Sequence, residues 1–283
     1  MKQLIQKAEL LERLGEFAAL YTDRPIRQNA GGMGFNHAFG TYCIARKLEP
    51  STIIESGVWM GQSTWVLQQA CPNAELICID PNPNVRKYTA ANAIYHEQDF
   101  QLIDWSNVDT SKALCFFDDH QNAYQRLMEM RWWGFSRAIF EDNFPCGVGD
   151  FYSMRHAFAE FGHPQIQMSQ FALEKGLRAK ITRWLDHKVL YKYHDRQTMV
   201  RKPNRVDRAG LEKNLSAYQE IPPVIRYAKT GWGDDWTGPN ASEPPLFEDF
   251  PEGDLGRRLR QFEDEHPGQA FQYTFICAVA LRR

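Results

Sequence analysis

The sequence lacks the spacings that build a zinc ribbon or a disulfide frame. Its six cysteines, Cys43, Cys71, Cys78, Cys115, Cys146 and Cys277, include no CxxC pair, and several fall inside apolar runs. They read as reduced core thiols, which points to a cytoplasmic protein. There is no excess of one charge either. Lys and Arg number 33 against 35 Asp and Glu, so no global field draws in nucleic acid or an anionic membrane. Long apolar runs are also missing at the start of the chain. MKQLIQKAELLERLGEF sets Leu4, Ile5, Ala8, Leu11 and Leu14 at helical spacing with charges between them. That is the pattern of an amphipathic helix, neither signal peptide nor membrane span. No internal repeat or low-complexity tract occurs.

What the chain does have is rings. Eight Trp, eleven Tyr and eighteen Phe exceed the needs of a core of this size, so some are expected to line a pocket. A local run of bases over 174–213 is not regularly interleaved with aromatics, and it reads as a solvated face rather than a nucleic-acid channel. After the first helix come Pro25 and Gly31, Gly32 and Gly34, the composition of a mobile connection, then a second helix from about Asn36 to Lys47. From there TIIES, ELICID, ALCFFDD and RAIFEDN are continuous apolar runs, as in strands buried on both faces. STWVLQQA, the 84–92 region and QNAYQRLMEMRWW alternate with them as crossover helices. The alternation predicts a doubly wound parallel α/β sheet. Residues 1–48 form an N-terminal helical cap in this reading and 49–160 the α/β core. Residues 161–283 form an elaboration of the same compact unit. FYSMRHAFAEF is expected as a helix, and FQYTFICAVALRR as a last strand at the sheet edge.

The stretch IIESGVWMGQSTW ends the first strand at Glu55 and turns through Gly57 and Gly61 into a helix that Ser63 or Thr64 is placed to cap. In a doubly wound sheet this is where ligands bind. The stretch has neither the G-x-G-x-x-G spacing nor a GK[ST], and a carboxylate there repels phosphate. A cationic, hydroxyl-bearing ligand suits it better.

ESGVWMGQS resembles the E-[ST]-G-V-W-x-G motif of S-adenosylmethionine-dependent methyltransferases of the macrocin O-methyltransferase type, whose wider relatives include cephalosporin-hydroxylase-like proteins. The resemblance covers roughly residues 50–145. It implies a class I methyltransferase fold, Rossmann-like, with S-adenosylmethionine held by Glu55, Gly57, Val58, Trp59, Gly61, Ser63, Asp80, Asp99 and Asp118. Asp80, closing ELICID, would take the ribose hydroxyls. Asp99 would stand near adenine, with a solvated loop acid as an equal alternative. The acidic clusters FFDDHQ and FEDN match strand ends that hold a divalent metal in that family, which places Asp118, Asp119, Glu141 and Asp142 as ligands. Oxygen-only donors favour Mg²⁺. The sequence departs from the family here, with Asp-Asp-His for Asp-Gly-Asp and Glu-Asp for Asp-Asp. The alternative is capping, in which Asp119 or Asn122 starts the next helix and Asn143 makes a turn.

The implied chemistry is methylation of a hydroxyl on a small molecule such as a sugar or specialised metabolite, with His120 and Asp119 as catalytic groups. A structural hydrogen-bond role for His120 competes. His37 and Tyr42 approach from the N-terminal side, and the segments 25–40 and 230–254, the second with Trp232, Trp236, Phe247 and Phe250, are candidate lids. A small-molecule substrate, no nucleic acid, no membrane and a homo-oligomer as an option complete the expectations. Two rivals remain: a non-methylating, hydroxylase-like enzyme on the same scaffold, and a catalytically silent binding protein.

Overall fold

The computed structural model describes residues 1–145, 151–160, 162–163, 204–205, 207–225, 243–265, 267, 270–271 and 275–282. Two helices come first, α1 (Lys7–Thr22) and α2 (Phe35–Leu48). The alternating part follows: β1 (Thr52–Ser56), α3 (Gln62–Ala70), β2 (Glu75–Ile79), β3 (Ala93–His96), β4 (Ala113–Phe117), α4 (Ala123–Trp133) and β5 (Arg137–Phe140). After α5 (Met154–Phe158) come α6 (Arg208–Asn214), β6 (Leu215–Glu220), α7 (Gly253–Glu265) and β7 (Cys277–Leu281). A separate two-residue ladder pairs Gly162–His163 with Asn204–Arg205.

The main sheet has seven strands in the order β3-β2-β1-β4-β5-β7-β6. β1 to β5 are mutually parallel, and β7 runs antiparallel to both its neighbours. This is the doubly wound, Rossmann-like α/β sheet expected from the sequence. Period-two alternation sends successive side chains to opposite faces. Ile53, Leu76, Cys78, Leu114, Phe116 and Ile139 meet α1, α2, α3 and α7 on one face. Ile54, Ile77, Cys115, Phe117 and Ala138 meet α4, α5 and α6 on the other. Burial on both faces explains why these strands are continuously apolar in sequence.

α1 and α2 belong to the first of these cores. Phe17 contacts Tyr21, Phe35, Phe39 and Tyr42 at centroid distances of 5.0–5.6 Å, and Tyr21 and Phe35 go on to Phe262 of α7. Asn36 staples later segments to α2: its Nδ2 donates to Phe271 O at 2.6 Å and its Oδ1 accepts from Val224 N–H at 2.9 Å. Five cysteines, Cys43, Cys71, Cys78, Cys115 and Cys277, are free and buried; Cys146 lies outside the described residues.

The structure corrects three local expectations. The 84–92 region is no helix: a single 3₁₀ turn, Pro83–Val85, is followed by irregular chain. Lys87 and Tyr88 N–H both donate to Met60 O in the β1–α3 turn, at 2.9 and 3.0 Å, instead of to a helical carbonyl. β7 is not an edge strand. It is inserted between β5 and β6, and the edge falls to β6, whose alternating LSAYQE was not singled out. The helix in FYSMRHAFAEF shortens to Met154–Phe158. Most of the basic segment 174–213, as well as Trp232 and Trp236, lies outside the described residues. No described helix is long and apolar enough to cross a membrane.

Candidate functional site

The carboxyl ends of β1, β2 and β4 enclose a cleft of about 530 Å³, lined by Gly31, Ser56, Gly57, Trp59, Asp80, Glu97, Asp99, Asp118, Asp119 and His120, among others. The glycines of the β1–α3 turn are required here by neighbouring backbone. Gly57 has φ +93°, its N–H donates to Ile79 O at 2.9 Å, and a Cβ would stand 2.0 Å from Asp118 O. The chain therefore passes hard against the end of β4. At Gly61 (φ +94°) a Cβ would meet Tyr88 O at 2.5 Å. Between them, Asp80 organises the turn. Its Oδ2 accepts from Val58 N–H at 3.0 Å and Trp59 N–H at 2.7 Å, and its Oδ1 accepts from Asn82 N–H at 2.7 Å. Trp59 is left half-exposed at the cleft, with its Nε1–H donating to Ala30 O at 3.3 Å, so the glycine-rich 25–40 connection closes on it.

Glu55 does not do what its position suggested. Its neighbour Ser56 reaches the cleft, but Glu55 itself points the other way and is fully buried. Its Oε2 accepts from Thr64 Oγ1 at 2.6 Å and from Cys78 Sγ at 3.2 Å, and Ser63 is another hydrogen-bond partner. Burial raises its carboxyl above the usual range. Ser63 and Thr64 thus serve a buried carboxyl and do not cap α3, whose N-cap is Gly61. The acidic lining of the cleft comes instead from Asp80, Glu97, Asp99, Asp118 and Asp119.

Two of those acids are committed to a guanidinium that sequence reasoning missed. Arg126, buried on α4, donates to Asp99 (2.9 and 2.7 Å), Asp119 (2.9 Å) and Glu129 (2.8 Å). Asp119 also takes Ser56 Oγ at 2.7 Å and Gln121 N–H at 3.2 Å. Both oxygens of Asp99 are held by Arg126, so that acid is fixed in the cleft wall. The side chain that starts α4 is Asn122, whose Oδ1 accepts from Gln125 N–H at 3.1 Å. Nothing in the sequence distinguishes Arg126 from an exposed charge on an amphipathic helix.

Asp118 and two further acids, Glu141 and Asp142, gather with two imidazoles. Ligand atoms of Asp118, His120 and Asp142 lie within 4.8 Å of one another, and so do those of His37, Glu141 and Asp142. The first group opens on the cleft: His120 is 55% exposed, with Nε2 3.8 Å from Asp142 Oδ2. The second is buried, with His37 Nδ1 2.5 Å from Glu141 Oε1. Burial pushes His37 down to about 3, which disfavours an imidazolium there. Burial first, then the nearby Asp142, raises both Asp118 and Glu141 well above the carboxylate range. Asp119 stands outside both groups. Tyr42 turns away, its hydroxyl donating to Glu16 at 2.8 Å. Phe247 and Phe250 pack on the core of the α1–α2 face.

Neither a protein-family model nor a curated protein matches the chain. Among solved structures it is similar to the plantazolicin methyltransferase BpumL in complex with a pentazolic desmethylPZN analog and SAH. The identity is 11%, with 98% of this chain and 100% of that one covered, at a TM-score of 0.40. It is also similar to the SAH-bound methyltransferase PaMTH1 of Podospora anserina (14% identity, TM-score 0.30), covering 47% of this chain and spanning only 61% of that one. A methyltransferase from Geobacter sulfurreducens gives 12% identity and a TM-score of 0.29, with 49% and 80% covered. At such scores the likenesses carry no argument about function; the fold rests on the strand order itself.

Proposed function

We propose that the protein is an S-adenosylmethionine-dependent O-methyltransferase acting on a small-molecule hydroxyl, a sugar or specialised metabolite, with a divalent ion at the strand ends. The observation that supports it most is the acid-lined cleft beside the Gly57–Gly61 turn, with Asp80 at the end of β2. Such a cleft disfavours phosphate and suits a cationic nucleoside. When bound, the sulfonium supplies an electrophilic methyl group that leaves by in-line displacement.

The chain's own residues do the rest. Asp80 already accepts three backbone N–H groups, which fixes its carboxylate; its remaining lone pairs point the ribose hydroxyls. Trp59 offers a ring face at the mouth. Asp99 and Asp119 give the wall its shape through Arg126, so Asp119 acts by position and not as a base. His120, open to the cleft and beside Asp142, is the group placed to receive the acceptor's proton. A divalent ion held by Asp142 and the acids beside it would lower the pKa of a hydroxyl bound to it.

Calorimetry with S-adenosylhomocysteine tests the reading. Binding is expected for the native chain and a loss of at least about tenfold, or roughly 1.4 kcal/mol, for Asp80→Ala. Absence of heat at millimolar ligand would sink it. The second reading, a hydroxylase-like enzyme on the same fold, calls for two imidazoles and one carboxylate around iron, whereas each group here has one imidazole and two carboxylates. Oxidation of a substrate without methyl transfer would select it.

A further inference from the structure

α2 is buried over nearly its whole length, yet its first turns carry Asn36, His37 and Thr41 among Phe35, Ala38 and Phe39. Asn36 is accounted for by its two backbone partners. His37 is carried by packing to the far end of β5, 104 residues along the chain, where it meets Glu141 at 2.5 Å. A hydrogen bond that merely tethers α2 to the sheet would explain that contact alone. It does not explain why a second carboxylate, Asp142, occupies the same enclosed space, with one ligand atom from each of the three residues inside 4.8 Å. Nor does it explain Thr41. Thr41 is completely buried and its Oγ1 has no hydrogen-bond partner. At i+4 from His37 it shares that helix face, and side chains lean toward the helix N-terminus, over the turn that holds His37. A buried hydroxyl without a partner costs about 1–3 kcal/mol and marks a place for a polar occupant.

We propose that His37, Glu141 and Asp142 form an inner metal position that takes a borderline divalent ion of the manganese, iron and zinc group, with imidazole nitrogen as one ligand. This rests on the reading of the strand ends as a metal site and changes its donor set. The resemblance implied oxygen ligands from Asp118, Asp119, Glu141 and Asp142, and hence Mg²⁺. In the structure Arg126 and Ser56 occupy Asp119, and an imidazole stands in the inner group. A nitrogen donor among two carboxylates favours borderline ions over Mg²⁺, which demands an oxygen octahedron. Asp142 is common to the inner group and to the outer Asp118–His120 group, so an ion inside and a substrate at the mouth would meet through one carboxylate.

The test uses the full chain, stripped with chelator and titrated with Mn²⁺ as the probe, read by pulsed electron paramagnetic resonance and by calorimetry. Expected are Mn²⁺ binding with the modulation of a directly coordinated imidazole nitrogen, and poor displacement by excess Mg²⁺. In H37Q the nitrogen signal should fall and Mn²⁺ affinity weaken by about tenfold or more. Where H37Q fails to fold, H120Q replaces it, and a nitrogen signal that survives there supports the inner position. No Mn²⁺ binding, an oxygen-only signal, or a nitrogen signal lost in H120Q and intact in H37Q would overturn the proposal. S-adenosylhomocysteine binding is measured on the same samples without metal. Cofactor heat with no nitrogen signal rejects the inner position alone, and a nitrogen signal with no cofactor heat rejects the methyltransferase reading alone.

Discussion

Glu55 is a carboxyl held in the sheet rather than at the ligand, and this makes its titration a statement about stability. Its folded value lies above the ordinary 4.5, because burial disfavours the charge more than Ser63, Thr64 and Cys78 favour it. A raised acid keeps its proton in the folded state while the unfolded chain loses it. The contribution is therefore fully present below the unfolded value and is lost as pH rises through the folded one. Glu55→Gln keeps the shape and removes the titration. Chemical denaturation between pH 4 and 8 should show a shallower decline with pH for the variant than for the native chain, and equal slopes would contradict the burial argument. Gly57 is constrained in another way. Alanine there adds a left-handed penalty of about 1–2 kcal/mol, and its Cβ meets the Asp118 carbonyl. Gly57→Ala should lower the melting temperature and abolish nucleoside binding, read by differential scanning calorimetry and titration on one sample. A variant that melts and binds like the native chain would mean that β1 and β4 are not so closely apposed.

Elements differ in how much of themselves they wrote into the sequence. β1, β2, β4 and β5 were legible because burial on both faces demands continuous apolar runs, and α4 because Asn122 and Gly134 bracket it as N-cap and left-handed C-cap. β6 was hidden: one polar residue in two is what a strand at the sheet edge needs, and LSAYQE is too short to stand out from its polar surroundings. The β2–β3 crossover stood where a helix was expected, whereas Lys87 and Tyr88 bond the Met60 carbonyl of the β1–α3 turn and the chain there stays irregular. Within the site, the acids at strand ends were legible from position alone, since strand ends are where an α/β sheet binds ligands. Arg126 was not, and His37 was noted without its partner, because burial rather than spacing reveals what each holds: His37 meets Glu141, and Arg126 gathers Asp99, Asp119 and Glu129. Arg126 links α4 to the acidic wall. Its removal leaves Asp99, Asp119 and Glu129 without their shared cation, with the first two only 24% and 13% exposed. Arg126→Leu should cost about 3–5 kcal/mol by urea denaturation. A loss below 1 kcal/mol would mean that solvent screens the cluster.

At the scale of the whole molecule the question is whether α1 and α2 form a lid that opens by itself or part of the body that carries the site. Packing answers for the body. Phe17 sits at the centre of a ring cluster that runs from α1 through α2 to Phe262 of α7. Below the rings the same core includes Ile53, Leu114 and Phe116 of the sheet. The first residues are bonded to the sheet edge as well: Gln219 Oε1 on β6 accepts from Leu4 and Ile5 N–H at 2.7 and 3.0 Å. His37 ties the first turn of α2 to Glu141, just past the end of β5. Unfolding α1 and α2 alone would strip one face of the sheet and break the inner cluster, so that opening is expected to cost nearly as much as unfolding everything. Phe17→Ala removes the central ring, for which the expected loss is about 3–5 kcal/mol. In one cooperative body that loss lowers a single transition, with tryptophan fluorescence, which sums over all eight indoles, and far-ultraviolet dichroism falling together. Saturating S-adenosylhomocysteine, at about a hundred times its dissociation constant, should then return roughly 2.7 kcal/mol to native and variant alike. Two separated transitions in Phe17→Ala, with only the first at lower temperature than in the native chain, would show instead that the N-terminal helices are an independent cap.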